Sequence, residues 1–169
     1  MQGLNIINVF PETIADGYGL RYAIYLAGCR HACPGCHNPE SWSPAAGEPF
    51  TEEILSRIVD EINRDILLDG ITLTGGDPFY NPEALLELLV RLKRETHQNI
   101  WCYTGFTYEA LMSRPLTRDC LCYIDTLVDG PFVQRLYDPA LHFRGSSNQR
   151  ILHLQPNSTA IAQEGGYRP

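Results

Sequence analysis

The stretch Arg21-Tyr22-Ala23-Ile24-Tyr25-Leu26-Ala27-Gly28-Cys29-Arg30-His31-Ala32-Cys33-Pro34-Gly35-Cys36-His37 decides how the rest of the chain is read. Its first seven residues are apolar and aromatic and stop at Gly28, the pattern of a strand. A C-x3-C-x2-C loop comes next, so a strand leads directly into three thiolates. A closed structural zinc site takes four ligands, commonly from two C-x2-C pairs. A 4Fe-4S cluster also has four irons to ligate. Three local ligands therefore point to a cluster with one iron left open. Gly28, Pro34 and Gly35 let a short loop wrap a bulky group. Two plainer readings compete with the cluster. One is a zinc knuckle completed by His37 or a distant cysteine, the other a disulfide with a spare thiol. His31 and His37 read as loop residues, or as imidazoles that tune the ligands from behind.

Outward from this stretch the chain alternates strands and helices. Thr51 reads as a helix N-cap, with Glu52 and Glu53 at the positive end of the dipole and Phe50 able to staple onto Leu55. Ile54, Leu55, Ile58, Val59 and Ile62 then recur at helical spacing. Ile71 to Thr74 is a short strand. Asn81 caps a helix with Pro82 at its first position and a leucine stripe from Leu85 to Leu92. Further strands are expected at Ile100 to Tyr103, Ile124 to Val128 and Ile151 to Leu154, with a short helix over Thr107 to Ser113. Residues 155–169 read as a loose tail after a single domain over 1–154. This alternation implies a parallel sheet with right-handed crossovers. A complete eight-fold barrel typically needs about 250 residues, and this chain has 169. The expected fold is therefore α/β, an incomplete open barrel of five to six mostly parallel strands. On that frame the cysteine loop, Gly75-Gly76-Asp77-Pro78, Thr104-Gly105 and Asp129-Gly130-Pro131-Phe132 each come after a strand, at the ends where parallel α/β folds place their sites.

Composition narrows the function classes. A net charge of -7 argues against a general nucleic-acid binder and gives no reason to expect an anionic membrane partner. No run of 18 apolar residues is present, and the N-terminus lacks a basic, apolar leader. The expected location is cytoplasmic, where six cysteines read as metal ligands, redox groups or core residues. Cys102 reads as a small core hydrophobe. Cys120 and Cys122 read as packing or incidental thiols sharing one side of an extended segment.

The cysteine loop resembles the cluster loop of the radical S-adenosylmethionine (SAM) enzymes, in which the open iron takes the methionine end of SAM. Behind such a loop, Thr74-Gly75-Gly76-Asp77-Pro78 resembles their Gly-Gly-Glu-Pro motif, which holds the SAM amino group. Here Asp77 stands one methylene short of the usual glutamate. Further motifs appear in order: Asp16 to Arg21, Cys29 to Asn38, residues 74–78, Tyr103-Thr104-Gly105, Val128 to Phe132, and Phe143-Arg144-Gly145-Ser146-Ser147-Asn148-Gln149-Arg150. Together they resemble the activating enzymes of the anaerobic ribonucleoside-triphosphate reductase, over roughly residues 5 to 154. The Arg-Gly-Ser-Ser-Asn-Gln stretch, and Gly35 before the third cysteine, set the chain apart from pyruvate formate-lyase activases.

The resemblance implies that Cys29, Cys33 and Cys36 hold a 4Fe-4S cluster. It implies SAM contacts from Gly35, His37, Asn38, Gly75, Gly76, Asp77, Tyr103 and Thr104. A reduced flavodoxin-type protein supplies one electron, SAM is cleaved to methionine and a 5′-deoxyadenosyl radical, and that radical takes a hydrogen atom from a glycine of the reductase. Arg144, Asn148 and Gln149 are left between contacts to SAM or the reductase and local backbone support. The competing functions are a radical SAM enzyme acting on a small molecule (of deazapurine-forming type), an activase of another glycyl-radical enzyme, and a non-catalytic zinc or iron–sulfur module.

Overall fold

The computed structural model describes residues 3–154 and the strand at 161–163. In chain order the strands are β1 (Asn5–Thr13), β2 (Arg21–Leu26), β3 (Glu48–Pro49), β4 (Gly70–Gly75), β5 (Ile100–Tyr103), β6 (Thr126–Asp129), β7 (Arg150–Leu154) and β8 (Ile161–Gln163). The helices are α1 (Glu52–Arg64), α2 (Pro82–Thr96), α3 (Tyr108–Met112) and α4 (Pro115–Leu121). All eight strands form one open sheet in the order β3-β1-β2-β4-β5-β6-β7-β8.

The sheet is wider than five to six strands, and its parallel part is narrower than expected. β2, β4, β5 and β6 run parallel, while β1 and β3 on one side and β7 and β8 on the other pair antiparallel. The reason lies in the connections. β1 folds straight back onto β2, and β7 returns from β6 through residues 130–149, which contain only a 3-10 turn at Gln134–Leu136. A parallel neighbour would need a longer crossover, usually helical. Of the tail expected at 155–169, residues 155–160 and 164–169 lie outside the described residues, and Ile161–Gln163 pair with β7.

The two long helices form for the reasons legible in the sequence. Thr51 caps α1 by accepting from the Ile54 amide, and Leu55, Ile58, Val59 and Ile62 are buried along one face. Phe50 lies in the same core as Leu55. Asn81 caps α2 by accepting from the Ala84 amide, and the helix stops at His97, whose φ of 56° is left-handed.

Period-two alternation gives the sheet two different faces. Tyr22, Ile24 and Leu26 of β2, Ile71 and Leu73 of β4, and Ile100 and Cys102 of β5 join the helices in the main core. The opposite face carries Arg21, Tyr25, Thr72, Thr74, Trp101 and Tyr103. There Trp101, Val128 and Ile151 form a small second cluster, packed by Phe143 and Tyr103. Arg21 is 2% exposed and charged: it donates to Thr72 Oγ1 at 3.1 Å, Asn99 Oδ1 at 2.8 Å and the Ile71 carbonyl at 2.6 Å. Burial pulls its pKa down to about 10, still well above neutrality.

Candidate functional site

The cysteine loop leaves the C-terminal end of β2 and is fixed by its backbone. The Gly28 amide donates to the Ser41 carbonyl at 2.8 Å and the Cys29 amide to the Trp42 carbonyl at 3.0 Å. Gly28 has φ of 98°, and a β-carbon there would stand 2.7 Å from the Tyr80 ring. Ala32 has φ of 45°, a left-handed conformation that costs a residue with a β-carbon on the order of 1 kcal/mol or more. Cys29, Cys33 and Cys36 are all free and partly exposed. Burial pushes the Cys29 thiol above its ordinary value, and the nearby Asp77 charge adds to this against donation from the backbone at His31 and Ala32. Loading a metal there must displace that proton.

The turn after β4 lies beside this loop. Gly75 has φ of 98°, and a β-carbon on it would meet the Leu26 backbone at 2.7 Å; on Gly76 it would meet the Gly28 carbonyl oxygen at 2.5 Å. Both glycines are therefore required by the approach of two backbones. The Gly76 and Asp77 amides donate to the Leu26 and Gly28 carbonyls at 2.7 and 2.8 Å. Asn38 Nδ2 and Ser41 Oγ donate to the Gly75 carbonyl at 3.4 and 3.1 Å.

Asp77 is 2% exposed and ties three loops together. Its carboxylate accepts from the Phe79 amide at 2.9 Å, Thr104 Oγ1 at 3.0 Å and the Gly105 amide at 3.0 Å, and stands 2.8 Å from His31 Nε2. These donors take up the acceptor sites of a carboxylate, so Asp77 is a positioning residue. In return its hydrogen bond raises the pKa of His31 against the effect of burial. The His31 ring stands edge-on to Phe106 with centroids 4.5 Å apart, and a β-carbon on Gly105 would lie 2.4 Å from it. His31 is thus clamped behind the cysteines.

These loops wall a cavity of about 550 Å³. Cys29, Cys33, Cys36, His37 and Asn38 line it from β2, Gly75, Gly76 and Asp77 from β4, and Tyr103 and Thr104 from β5. Gly35 is outside that lining, on the flank where a β-carbon would meet Gln134 at 3.1 Å. The loop after β6 supplies the remaining wall through Phe132, Tyr137, Phe143 and Arg144. Phe143 stacks edge-on to Tyr18 and Trp101, with centroids at 4.8 and 5.6 Å. Arg144 donates Nη1 to the Gln149 carbonyl at 3.2 Å, while its buried Nε has no protein partner among the described residues. Gln149 Oε1 accepts from the Gly145 and Ser146 amides, and Asn148 Nδ2 donates to the Pro131 carbonyl at 2.8 Å. Those two polar residues brace the loop.

Asp16, the first residue of the Asp16-to-Arg21 motif, and Tyr25, which lies in no motif, also line the cavity. Tyr25 donates its hydroxyl to Asp16 Oδ1 at 3.0 Å. The signal for it is the alternation along β2, which sets Tyr25 opposite the core-facing Tyr22, Ile24 and Leu26. The extended segment expected at Cys120 and Cys122 is instead the end of α4, with Cys120 buried and Cys122 exposed at the cap. A Pro at the first position and a seven-residue length leave little periodicity to read. Cys102 is fully buried in the core, as expected.

The donor set fits a cluster of the kind the cysteine spacing suggests. Three thiols share one cavity wall, and among the described residues no three His, Cys, Asp or Glu side chains converge as ligands of a single ion. The remaining volume lies within the ordinary range for a small-molecule site.

Comparison with known proteins agrees. Residues 15–152 match the family model of the 4Fe-4S single cluster domain. An anaerobic ribonucleoside-triphosphate reductase-activating protein of Pasteurella multocida is 42% identical over 153 residues, covering 88% of this chain and 96% of the relative. The protein of that name in Escherichia coli K12 is 38% identical, over 90% of this chain and all of the relative. That of Enterobacteria phage T4 is 31% identical, over 88% of this chain and 93% of the relative. No helix among the described residues is long and apolar enough to cross a membrane. With the cysteine loop, the glycine turn and the closing loop around one cavity, the chain belongs to the family of anaerobic ribonucleoside-triphosphate reductase-activating proteins.

Proposed function

We propose that this protein installs a glycyl radical on an anaerobic ribonucleoside-triphosphate reductase in the cytoplasm. Its activase unit is the radical SAM type of open barrel, ending at Leu154. Cys29, Cys33 and Cys36 hold a 4Fe-4S cluster, and SAM occupies the cavity between them and the turn at Gly75–Gly76. Bound there, the cluster and SAM supply a one-electron cleavage that yields methionine and a 5′-deoxyadenosyl radical able to take a hydrogen atom from a glycine of the reductase.

The chain's own residues position and exclude. Gly75 and Gly76 bring a backbone edge close to the ligand without side chains. Asp77 holds the cysteine loop, the glycine turn and Thr104-Gly105 in one register. Asn38, His37, Tyr103 and Thr104 line the SAM site, Gly35 lets the loop turn, and Arg144 offers a free Nε–H to an anionic or carbonyl group. Phe132, Tyr137 and Phe143 give the mouth an apolar rim that a peptide loop can seal against water. The one observation that carries this reading is that the three thiols of the C-x3-C-x2-C loop line the same cavity as the glycine turn.

The test is anaerobic reconstitution with iron and sulfide, then addition of SAM and dithionite. 5′-Deoxyadenosine is expected in proportion to cluster content, with a glycyl radical signal once the reductase is added. About one zinc per chain, no cluster absorbance and no product would return the site to a structural metal module.

A further inference from the structure

We propose that the groove on the back of the cysteine loop, between Arg30 and Arg114, is the docking site of an acidic, one-electron donor protein. The inference rests on the function proposed above, which needs one electron per SAM cleaved and contains no source for it. On that reading SAM and the reductase glycine occupy the main cavity, which favours a separate face for the donor.

A second cavity of about 390 Å³ opens on another flank, lined among others by Arg30, Tyr80, Glu83, Phe106 and Arg114. Arg30 directly follows Cys29, and its guanidinium lies 4.7 Å from the Tyr80 ring centroid. The Tyr80 ring packs against Gly28, since a β-carbon there would lie 2.7 Å away. The far wall is Phe106, whose opposite edge meets His31 of the main site. A partner seated here would rest on Tyr80 and Arg30, the side chains packed against Gly28 and following Cys29 in the ligand loop. Tunnelling rates fall steeply with distance, so this is a short path to the cluster that bypasses the main cavity.

Charge selects the partner. The chain carries 20 acidic and 13 basic residues. Yet Arg30 and Arg114 are both exposed, and neither has a carboxylate within ion-pair distance among the described residues. Most other surface arginines of the fold are paired, as Arg91 is with Glu52 and Glu95, and Arg150 with Glu109. Two guanidiniums without an ion-pair partner, against the single carboxylate Glu83 in the same lining, flank apolar Phe79, Phe106 and Leu111 and suit an acidic rim around an apolar centre. Small, charge-steered contacts of this kind are typical of electron-transfer partners. In the step itself, the donor (a reduced flavin or iron–sulfur protein) loses one electron and the cluster gains it.

The experiment uses the cluster-loaded protein and an acidic flavodoxin as probe. Binding of oxidised flavodoxin is measured by calorimetry at low ionic strength. Cluster reduction is monitored by stopped-flow absorbance with reduced flavodoxin, and separately with dithionite. Arg30→Glu and Arg114→Glu are each expected to weaken binding and slow the flavodoxin-driven rate about tenfold, leaving the dithionite rate within about twofold. Added salt should slow the wild type toward the variants. Arg114 is exposed and makes no side-chain cap bond, so its reversal decides the matter if Arg30→Glu loads poorly. An unchanged flavodoxin rate, or equal slowing with both reductants, overturns the proposal. So does a reversal that weakens binding of the reductase and spares the flavodoxin rate. A wild type that makes no 5′-deoxyadenosine with dithionite overturns the functional reading, while binding and reduction still decide the groove.

Discussion

Asp77 sits where the resembling motif carries glutamate, and an extra methylene would move its carboxylate off the donors that hold it. Its buried carboxylate is met by donors from three loops. Asp77→Glu is therefore expected to destabilise the metal-free protein by about 1–3 kcal/mol, because the longer side chain takes the carboxylate out of register with buried donors. Asp77→Ala should cost more, about 3–5 kcal/mol, because it strands the buried donors of Phe79, Thr104 and Gly105 together. Urea unfolding of the metal-free chains checks both, and a fully stable Asp77→Glu would show that the site can expand. Gly76→Ala would drive a β-carbon to within 2.5 Å of the Gly28 carbonyl oxygen. The variant should fold its helices by circular dichroism yet bind less iron per chain on reconstitution. Normal iron binding would mean the two turns move independently. At this scale the spacing of the cysteines and the paired glycines was legible, because each is a local requirement. That the Asp77 carboxylate would be consumed by Thr104, Gly105 and His31 was not, since those partners come from other strands.

Among the elements, α3, β6 and β7 are joined by one charged cluster. Arg150 on β7 donates to the buried Asp129 of β6 and to Glu109 of α3, and Asp129 also accepts from the Tyr108 amide at 2.7 Å. Arg150→Ala leaves Asp129 buried without its cation and should cost about 3–5 kcal/mol at neutral pH. The Glu109 carboxyl lies below its ordinary value of 4.5, chiefly through its hydrogen bond to Arg150. A carboxyl depressed in the folded state adds stability above 4.5 that is lost as pH falls through the depressed value. The difference in melting temperature between wild type and Arg150→Ala should therefore shrink below that pH. A difference constant down to strong acid would exclude Glu109 from the linkage. In α4, burial pushes the Cys120 thiol up to about 12, so it should resist a thiol reagent at neutral pH while the exposed Cys122 reacts. Cys122→Ala should leave iron content unchanged, and loss of iron would make that thiol a ligand. The long helices and central strands were legible from periodicity and caps. β1 was not, because its apolar alternation breaks at Pro11 and Glu12, and it buries only Ile6.

For the whole molecule, the core that holds sheet to helices contains none of the three cysteines of the ligand loop. Removing iron with a chelator should thus lower the melting temperature while keeping far-ultraviolet ellipticity, since binding stabilises only what it orders. Collapse of secondary structure on chelation would make the metal part of the fold itself. An α/β sheet with its chemistry at the parallel strand ends could be read from the sequence. The antiparallel flanks could not, because their pairing depends on which connections lack a helix. The partial exposure of Cys29, Cys33 and Cys36 has a further consequence. On the proposed function the mouth must admit a loop of another protein, and an opening of that size also admits dioxygen. A cluster at Cys29, Cys33 and Cys36 would then stay open to oxidation until a partner covered it, so the loaded protein is expected to lose iron in air when its target is absent.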